Sequence, residues 1–306
     1  MPRLGLLVAA LIVTALVALA PGRADAQAGL EVHGPARGQA AQSDGRYVVW
    51  ESAEEPGIVV LDTATAGRRL VAEQERCPLR HVGGGRMLLG CQTEADPVTG
   101  WLVDLRTLRR TPLRPRTEDG RRLFPHMVGR RWVRLWRGLG APQDRPTLAR
   151  RIGSSRTVAL PALRARDLID LDARDPRRRL CAPVRRPALP GSGGPGAVGV
   201  GRGIVAWADT RDGAVRVQRC GDRAARKVGD CGTCGTVGVG GTVVAWAAER
   251  GAASETPQPA LETWSARAGR RTWEIDAPFP PSEGPVIAGG RAYAVFGGNV
   301  VSVPAA

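Results

Sequence analysis

The chain has 306 residues, and 43% of them are hydrophobic, which allows one large domain or two modest ones and excludes global disorder. Its 44 basic and 29 acidic residues give a formal charge of +15, a field that attracts anionic surfaces. The arginines are spread through turns, without a basic helix or interleaved aromatic residues, so specific nucleic-acid binding is disfavoured.

Residues 1–26 have the pattern of a secretory signal peptide. An uncharged apolar run at 4–20 follows Arg3, and Ala24-Asp25-Ala26 fits the small-x-small cleavage rule. We therefore predict that the mature chain, 27–306, begins at Gln27 and is secreted or associated with the cell envelope. An uncleaved membrane anchor is the alternative, although the apolar run is near the lower limit for crossing a bilayer.

The stretch SDGRYVVWES, at 43–52, introduces a pattern that recurs along the chain. Apolar runs that follow a glycine and end near turn residues are typical of strands, and this one returns in GRMLLGC, GRRWVRL, GRGIVAW, GGTVVAW and GRAYAVF. The aligned glycines at positions 45, 85, 129, 201, 240 and 290 are separated by 40, 44, 72, 39 and 50 residues. A period of this length with several short strands indicates an all-β protein built as a β-propeller.

A second pattern follows the first in each unit. The segments 58–71, 101–113 and 168–181 each alternate apolar residues into a polar turn and return through arginines, as expected of a hairpin, and 215–229 and 263–275 are looser copies. The sequence thus predicts about six four-stranded blades. The third unit is longer than a blade, and its block 139–166 is either an insertion or a degenerate extra blade, so seven blades are the alternative.

The ends of the repeat predict how the ring closes. The last unit, 285–304, supplies only about three strands, and we expect residues 29–34 to complete its sheet. Large side chains that end equivalent strands are predicted to pack as wedges between blades, and these are Trp50, Trp207, Trp246 and Phe296.

The combined unit SDGRYVVWESAEEPGIVVLDTATAGRRLV resembles the repeat of TolB-type six-bladed β-propellers, with an Asp-Gly turn, an aromatic-ended strand and a Leu-Asp strand leading to an Arg-Leu return. The segment 205–220 is similar to another blade form of that family. The resemblance covers most of 30–303, although GRMLLGC lacks the aromatic residue. It implies an interaction module.

Six cysteines in the exported part predict up to three disulfides. Cys77 and Cys91 flank one glycine turn and are the best candidate pair. The motif CGTC, Cys231 to Cys234, has the spacing of a redox or zinc site as well. A disulfide role is favoured because a glycine-rich segment follows it instead of a helix.

No constellation of catalytic residues is visible. The sequence has no GxSxG elbow or calcium-binding DxDxDG ladder, and its three histidines, His33, His81 and His126, are isolated. We therefore name no catalytic, cofactor-binding or metal-binding residue, and we expect no cofactor. The sequence favours a monomeric, secreted, non-enzymatic scaffold that binds a protein or an anionic envelope polymer. The alternative is a hydrolase or lyase whose site lies in the central channel, assembled from residues scattered over several blades.

Overall fold

The computed structural model describes residues 29–38, 40–72, 77–91, 99–116, 120, 123–136, 148–159, 199–209, 212–232, 236–251, 258–278 and 283–305. These residues form 24 strands, arranged in six four-stranded antiparallel sheets. Across the same ranges, no helix is long and apolar enough to cross a membrane.

Each of the first five sheets is a meander of four consecutive strands. Sheet 1 comprises β2 (Gln42–Ser43), β3 (Tyr47–Glu51), β4 (Gly57–Asp62) and β5 (Gly67–Ala72); sheet 2 comprises β6 (Leu79–Gly83), β7 (Arg86–Gly90), β8 (Gly100–Asp104) and β9 (Arg110–Leu113). Sheet 3 comprises β10 (Phe124–Val128), β11 (Trp132–Trp136), β12 (Leu148–Arg151) and β13 (Thr157–Ala159). Sheet 4 comprises β14 (Gly199–Gly201), β15 (Ile204–Asp209), β16 (Ala214–Arg219) and β17 (Arg226–Asp230); sheet 5 comprises β18 (Gly238–Gly240), β19 (Val243–Arg250), β20 (Gln258–Ser265) and β21 (Gly269–Glu274).

Sheet 6 joins the two ends of the described chain. Its strands β22 (Val286–Ala288), β23 (Arg291–Phe296) and β24 (Asn299–Pro304) come last in the sequence, and β1 (Glu31–Pro35) pairs antiparallel with β24. In this pairing Glu31 lies opposite Ser302. Strand β1 therefore occupies the position that the sequence predicts for residues 29–34.

Most neighbouring sheets contact one another through their first strands. Strand β2 contacts β6 and β22, β6 contacts β10, and β18 contacts both β14 and β22. Antiparallel four-stranded sheets packed face to face with their first strands innermost are the architecture of a β-propeller, and the all-β prediction is confirmed.

The long third unit is partly accounted for. Within the block 139–166, strands β12 and β13 continue the antiparallel order from β11 and complete sheet 3. The rest of that block and the hairpin copy at 168–181 lie outside the described residues. A seventh blade would have to come from these segments, so the described residues do not decide between six and seven blades.

The core lies between the sheets because alternate residues of a strand point to opposite faces. Trp50 and Val48 pack against Tyr293 of sheet 6, whereas Val49 faces the other way and joins a cluster with Met87 of sheet 2. The four predicted wedge residues are all buried in second strands, with at most 2% of their surface exposed. Phe296 ends its strand as predicted, whereas Trp207 and Trp246 lie in the middle of theirs, because both strands continue beyond the aromatic residue.

The aligned glycines have two different roles. Gly45, Gly85 and Gly290 have φ values of 94°, 78° and 76°, which favour glycine at a tight turn. Gly201 and Gly240 instead lie in first strands at the contact between sheets. A Cβ at Gly201 would lie 2.3 Å from the carbonyl oxygen of Gly241, so these two positions are small because neighbouring sheets approach closely.

Candidate functional site

The innermost strands carry no carboxylate within the described part of the chain. They read QS, LRHVG, FPHMV, GVG, GVG and VIA from sheet 1 to sheet 6. Glycine recurs because the strands approach closely: a Cβ at Gly238 would lie 2.0 Å from the carbonyl oxygen of Pro285. Among the described residues, no group of three or more His, Cys, Asp or Glu could hold a metal ion. Among the described residues of these strands, the titratable acid–base side chains are therefore His81 and His126.

Two of the three histidines interact with each other, which the sequence does not reveal. The Nδ1 atom of His81 accepts a hydrogen bond of 3.3 Å from the backbone N–H of Val128. Burial, together with a smaller effect of the nearby His126, lowers the pKa of His81 to about 4. The ring of His126 stacks on Trp136 with centroids 4.3 Å apart. His81 is therefore a neutral, hydrogen-bonded side chain at neutral pH.

The third histidine belongs to the pairing of β1 with β24. Its Nε2 atom lies 2.8 Å from the hydroxyl oxygen of Ser302, and burial lowers the pKa of His33. The same hydroxyl accepts a hydrogen bond of 2.8 Å from Nε of Arg291. Ser302 is completely buried, so this serine–histidine contact stabilises the sheet and leaves no access for a substrate.

The cysteines form disulfides. Cys77 and Cys91 are bonded, with Cα atoms 4.0 Å apart, which confirms the predicted pair. Cys220 and Cys231 each take part in a disulfide as well. A sulfur in a disulfide is not a thiolate that can bind zinc, so Cys231 does not support the zinc interpretation of CGTC. Cys181 and Cys234 lie outside the described residues.

Arginines collect at one end of the sheets. We call this end, where first strands turn into second strands and third into fourth, the turn end. Five of the six first turns carry an arginine within the turn or directly after it, and the exception, in sheet 5, carries Thr242. These arginines are Arg46, Arg86, Arg130, Arg202 and Arg291. The turns between third and fourth strands, and the residues that flank them, add Arg106, Arg109, Arg156, Arg219, Arg223 and Arg267.

Most of the described carboxylates lie at the end of the sheets opposite the turn end. At the other end of the sheets the described residues include Glu51, Glu54, Glu55, Asp209, Asp212, Asp230, Glu249, Glu274, Asp276 and Glu283. Arginines therefore outnumber carboxylates at the turn end, although Arg37, Arg114, Arg116 and Arg250 lie at the other end.

Several carboxylates at the turn end are already engaged by neighbouring groups. Asp62 forms an ion pair of 2.7 Å with Arg46, whose hydrogen bond lowers the pKa of that carboxyl. Asp104 accepts hydrogen bonds from the backbone N–H groups of Arg106 and Thr107 in its own turn. These contacts leave little negative charge to neutralise the remaining arginines.

Three of those arginines surround a cleft between sheets 4 and 5. The cleft has a volume of about 360 Å³, within the range of about 300–1,000 Å³ that is usual for small-molecule sites. Exposed Arg202, Arg219 and Arg267 line it, and the side chains of all three lack a hydrogen-bond or ion-pair partner among the described residues. Ile204 and Trp264, both buried, contribute apolar surface.

Backbone hydrogen bonds position the three arginines. The N–H of Arg202 donates to the carbonyl of Gly241 at 2.7 Å, which ties the first turn of sheet 4 to that of sheet 5. The N–H of Cys220, next to Arg219, donates to the carbonyl of Gly203 at 2.9 Å. The turn that carries Arg267 is closed by a bond of 3.0 Å from the N–H of Ala268 to the hydroxyl of Ser265.

Taken with the fold, these features define a β-propeller with a basic cleft at one end and no visible acid–base site on its described inner strands. No protein-family model matches the chain, and no characterised protein matches it in sequence.

Among solved structures, the chain is similar to three β-rich proteins at low identity. The β-propeller domain of Cps50 (Swd1) from Myceliophteria thermophila is 12% identical with a TM-score of 0.48, covering 90% of this chain and 100% of that one. Regucalcin, a calcium-binding protein from Agrobacterium tumefaciens, is 12% identical with a TM-score of 0.38 over 90% and 92% of the two chains. A DUF4221 family member from Bacteroides vulgatus is 9% identical with a TM-score of 0.39 over 91% and 98%. Likeness at this level identifies no function.

Proposed function

We propose that this chain is an exported, non-enzymatic β-propeller scaffold that binds an anionic envelope polymer through its turn end. The observation that carries the proposal is the excess of arginines over carboxylates at the turn end, where Arg202, Arg219 and Arg267 have no carboxylate partner among the described residues. Arginine binds phosphate and carboxylate groups through paired N–H donors, and a surface of one sign raises the local concentration of an oppositely charged ligand.

The alternative, a hydrolase or lyase with a site in the channel, has less support. General acid–base or metal-assisted hydrolysis requires a carboxylate, a histidine or a metal ion near the substrate. The described inner strands supply only His81 and His126 of these, and His81 is committed to a backbone N–H.

Binding is tested with the full chain, exported so that its disulfides form, and a fluorescent poly(glycerol phosphate) as the probe. Fluorescence anisotropy is expected to report saturable binding whose affinity falls linearly, on logarithmic axes, as salt is raised, because counterions are released from the polymer. Neutral dextran is the matched control. Equal binding of dextran, or the absence of poly(glycerol phosphate) binding at low salt, would contradict the proposal.

Export is tested separately. The proposal requires removal of residues 1–26, so the N-terminal peptide of protein recovered from the cell envelope or medium is expected to begin at Gln27. Mass spectrometry of that peptide measures this directly. Recovery of an intact Met1 peptide from the membrane fraction would instead identify a retained anchor.

A further inference from the structure

We infer that the cleft between sheets 4 and 5 holds one phosphate group of a phosphodiester polymer, together with the polyol or sugar unit beside it. The inference rests on the proposed function and assigns it to a single site. The turn end as a whole attracts a polyanion, whereas this cleft adds a recessed place that three arginines line.

The charge in the cleft fits a phosphate diester. Arg202, Arg219 and Arg267 come from three turns of two neighbouring sheets. The guanidinium N–H groups of each make no hydrogen bond to the described residues. The carboxylate closest in sequence, Asp222, forms no ion pair there either, although its N–H donates to the carbonyl of Arg219 at 3.1 Å. Charge-assisted bonds from Arg to phosphate are paired and about twice as strong as neutral ones.

The rest of the lining fits the uncharged part of the repeating unit. Ile204 and Trp264 belong to the apolar core between sheets 4 and 5, and only 4% and 6% of their surfaces are exposed. Both residues line the cleft, as do Thr242 and Ser265. Carbon-bound hydrogens of a polyol can pack on the apolar edges while its hydroxyls meet these polar groups.

A polymer fits this site better than a lipid surface. Proteins that dock on membranes through a basic face usually insert exposed apolar side chains beside it. The exposed large hydrophobic residues of the described chain are Val32, Leu70 and Trp136, and none of them lines the cleft. The arginines instead surround a recess that would remain empty against a flat bilayer.

The test compares Arg219→Gln and Arg267→Gln with Arg156→Gln, a matched control. Arg156 is exposed, lies in the turn between the third and fourth strands of sheet 3 and loses the same charge, but it does not line the cleft. With poly(glycerol phosphate) as the probe, each cleft variant is expected to lower affinity about 10-fold or more, as for loss of a charged hydrogen bond, and the control at most about 2-fold. Arg219→Lys keeps the charge without the paired donors and is expected to weaken binding as well.

The possible outcomes separate this inference from the proposed function. Equal losses of affinity in Arg156→Gln and Arg219→Gln would overturn the assignment of the phosphate to the cleft and would indicate a diffuse electrostatic surface. If the unaltered chain did not bind the polymer, both this inference and the proposed function would be overturned. Competition by free glycerol 3-phosphate against the polymer is expected for the unaltered chain and not for Arg219→Gln. Stronger co-sedimentation with phosphatidylglycerol vesicles than with the polymer would overturn the choice of partner. Thermal unfolding of each variant confirms that these exposed substitutions leave the fold intact.

Discussion

The carboxylate of Asp44 accepts a hydrogen bond of 2.7 Å from the backbone N–H of Gly85, in the corresponding turn of the next sheet. Its other oxygen accepts bonds from the N–H groups of Arg46 and Tyr47, at 3.1 Å and 2.9 Å. One side chain therefore fixes its own turn and joins sheet 1 to sheet 2. The turn end has comparable links from Gly289 to Gly45, at 3.2 Å, and around the cleft.

We predict that Asp44→Ala lowers the free energy of unfolding by about 1–3 kcal/mol, because three backbone donors lose their acceptor. Asp44→Asn retains one side-chain oxygen and is expected to lose less. Urea unfolding followed by tryptophan fluorescence measures both. Equal stability of Asp44→Ala and the unaltered chain would show that water replaces the carboxylate at no cost.

The disulfide between Cys77 and Cys91 supports a second prediction. Its two cysteines are 14 residues apart in the sequence. Cys77 lies just before β6, and Cys91 lies directly after β7. Closing a loop of this size in the unfolded chain is worth about 3 kcal/mol, so the double variant Cys77→Ala, Cys91→Ala is expected to unfold at a lower temperature. Calorimetry measures the shift, and peptide mapping without reductant checks the pairing. An unchanged unfolding temperature, or free thiols at both positions, would contradict the assignment.

Features that depend on the repeat period could be predicted from the sequence. The strand pattern places Trp50 and Trp246 on buried faces of second strands, because a period of two and a recurring glycine turn fix both the strand and the face. The disulfide also follows from a local spacing around one turn.

The cleft could not be predicted in the same way, since it depends on how two sheets sit against each other. Arg202 and Arg267 are far apart in sequence, and they line one cleft because Gly199 and Gly201 let the first strand of sheet 4 approach the first strand of sheet 5 closely. A signal was nevertheless present: an arginine follows the glycine of most first turns. The arginine content of the whole chain obscures that regularity.

The pKa of His81 predicts how stability changes in acid. The folded pKa of about 4 lies below the ordinary value of 6.5, so the unfolded chain binds a proton at this residue between those values while the folded chain does not. The contribution of His81 to the free energy of unfolding is fully present above pH 6.5. It decreases as the pH falls towards 4, by about 3 kcal/mol in total. Urea unfolding as a function of pH measures this dependence.

His81→Asn is the informative variant for that prediction. Asparagine does not titrate and offers an oxygen to the N–H of Val128, so the pH dependence between 4 and 6.5 is expected to flatten. His33 also has a lowered pKa and contributes in the same direction, so an NMR titration of the imidazole protons separates the two residues. A folded-state pKa near 6.5 for His81 would contradict the prediction.

The last prediction concerns a buried carboxylate in sheet 5. Glu262 has 1% of its surface exposed, and its Oε1 atom accepts hydrogen bonds from Nε of Arg250, at 2.9 Å, and from the hydroxyl of Thr272, at 3.3 Å. Its Oε2 atom is buried without a hydrogen bond among the described residues, with Nε of Arg270 3.9 Å away. Arg250 is thus the main compensation for the charge of Glu262.

Removing the two partners should therefore have unequal effects. Arg250→Ala leaves a buried carboxylate without its main partner and is expected to lower the free energy of unfolding by about 3–5 kcal/mol. Glu262→Gln removes the buried charge and leaves Arg250, whose side chain is 40% exposed, free to bind water, so its cost should be smaller. Urea unfolding of both variants and of the double variant measures the difference. A Glu262→Gln variant as unstable as Arg250→Ala would show that the shape and hydrogen bonds of the carboxylate, rather than its charge, set the stability of this pair.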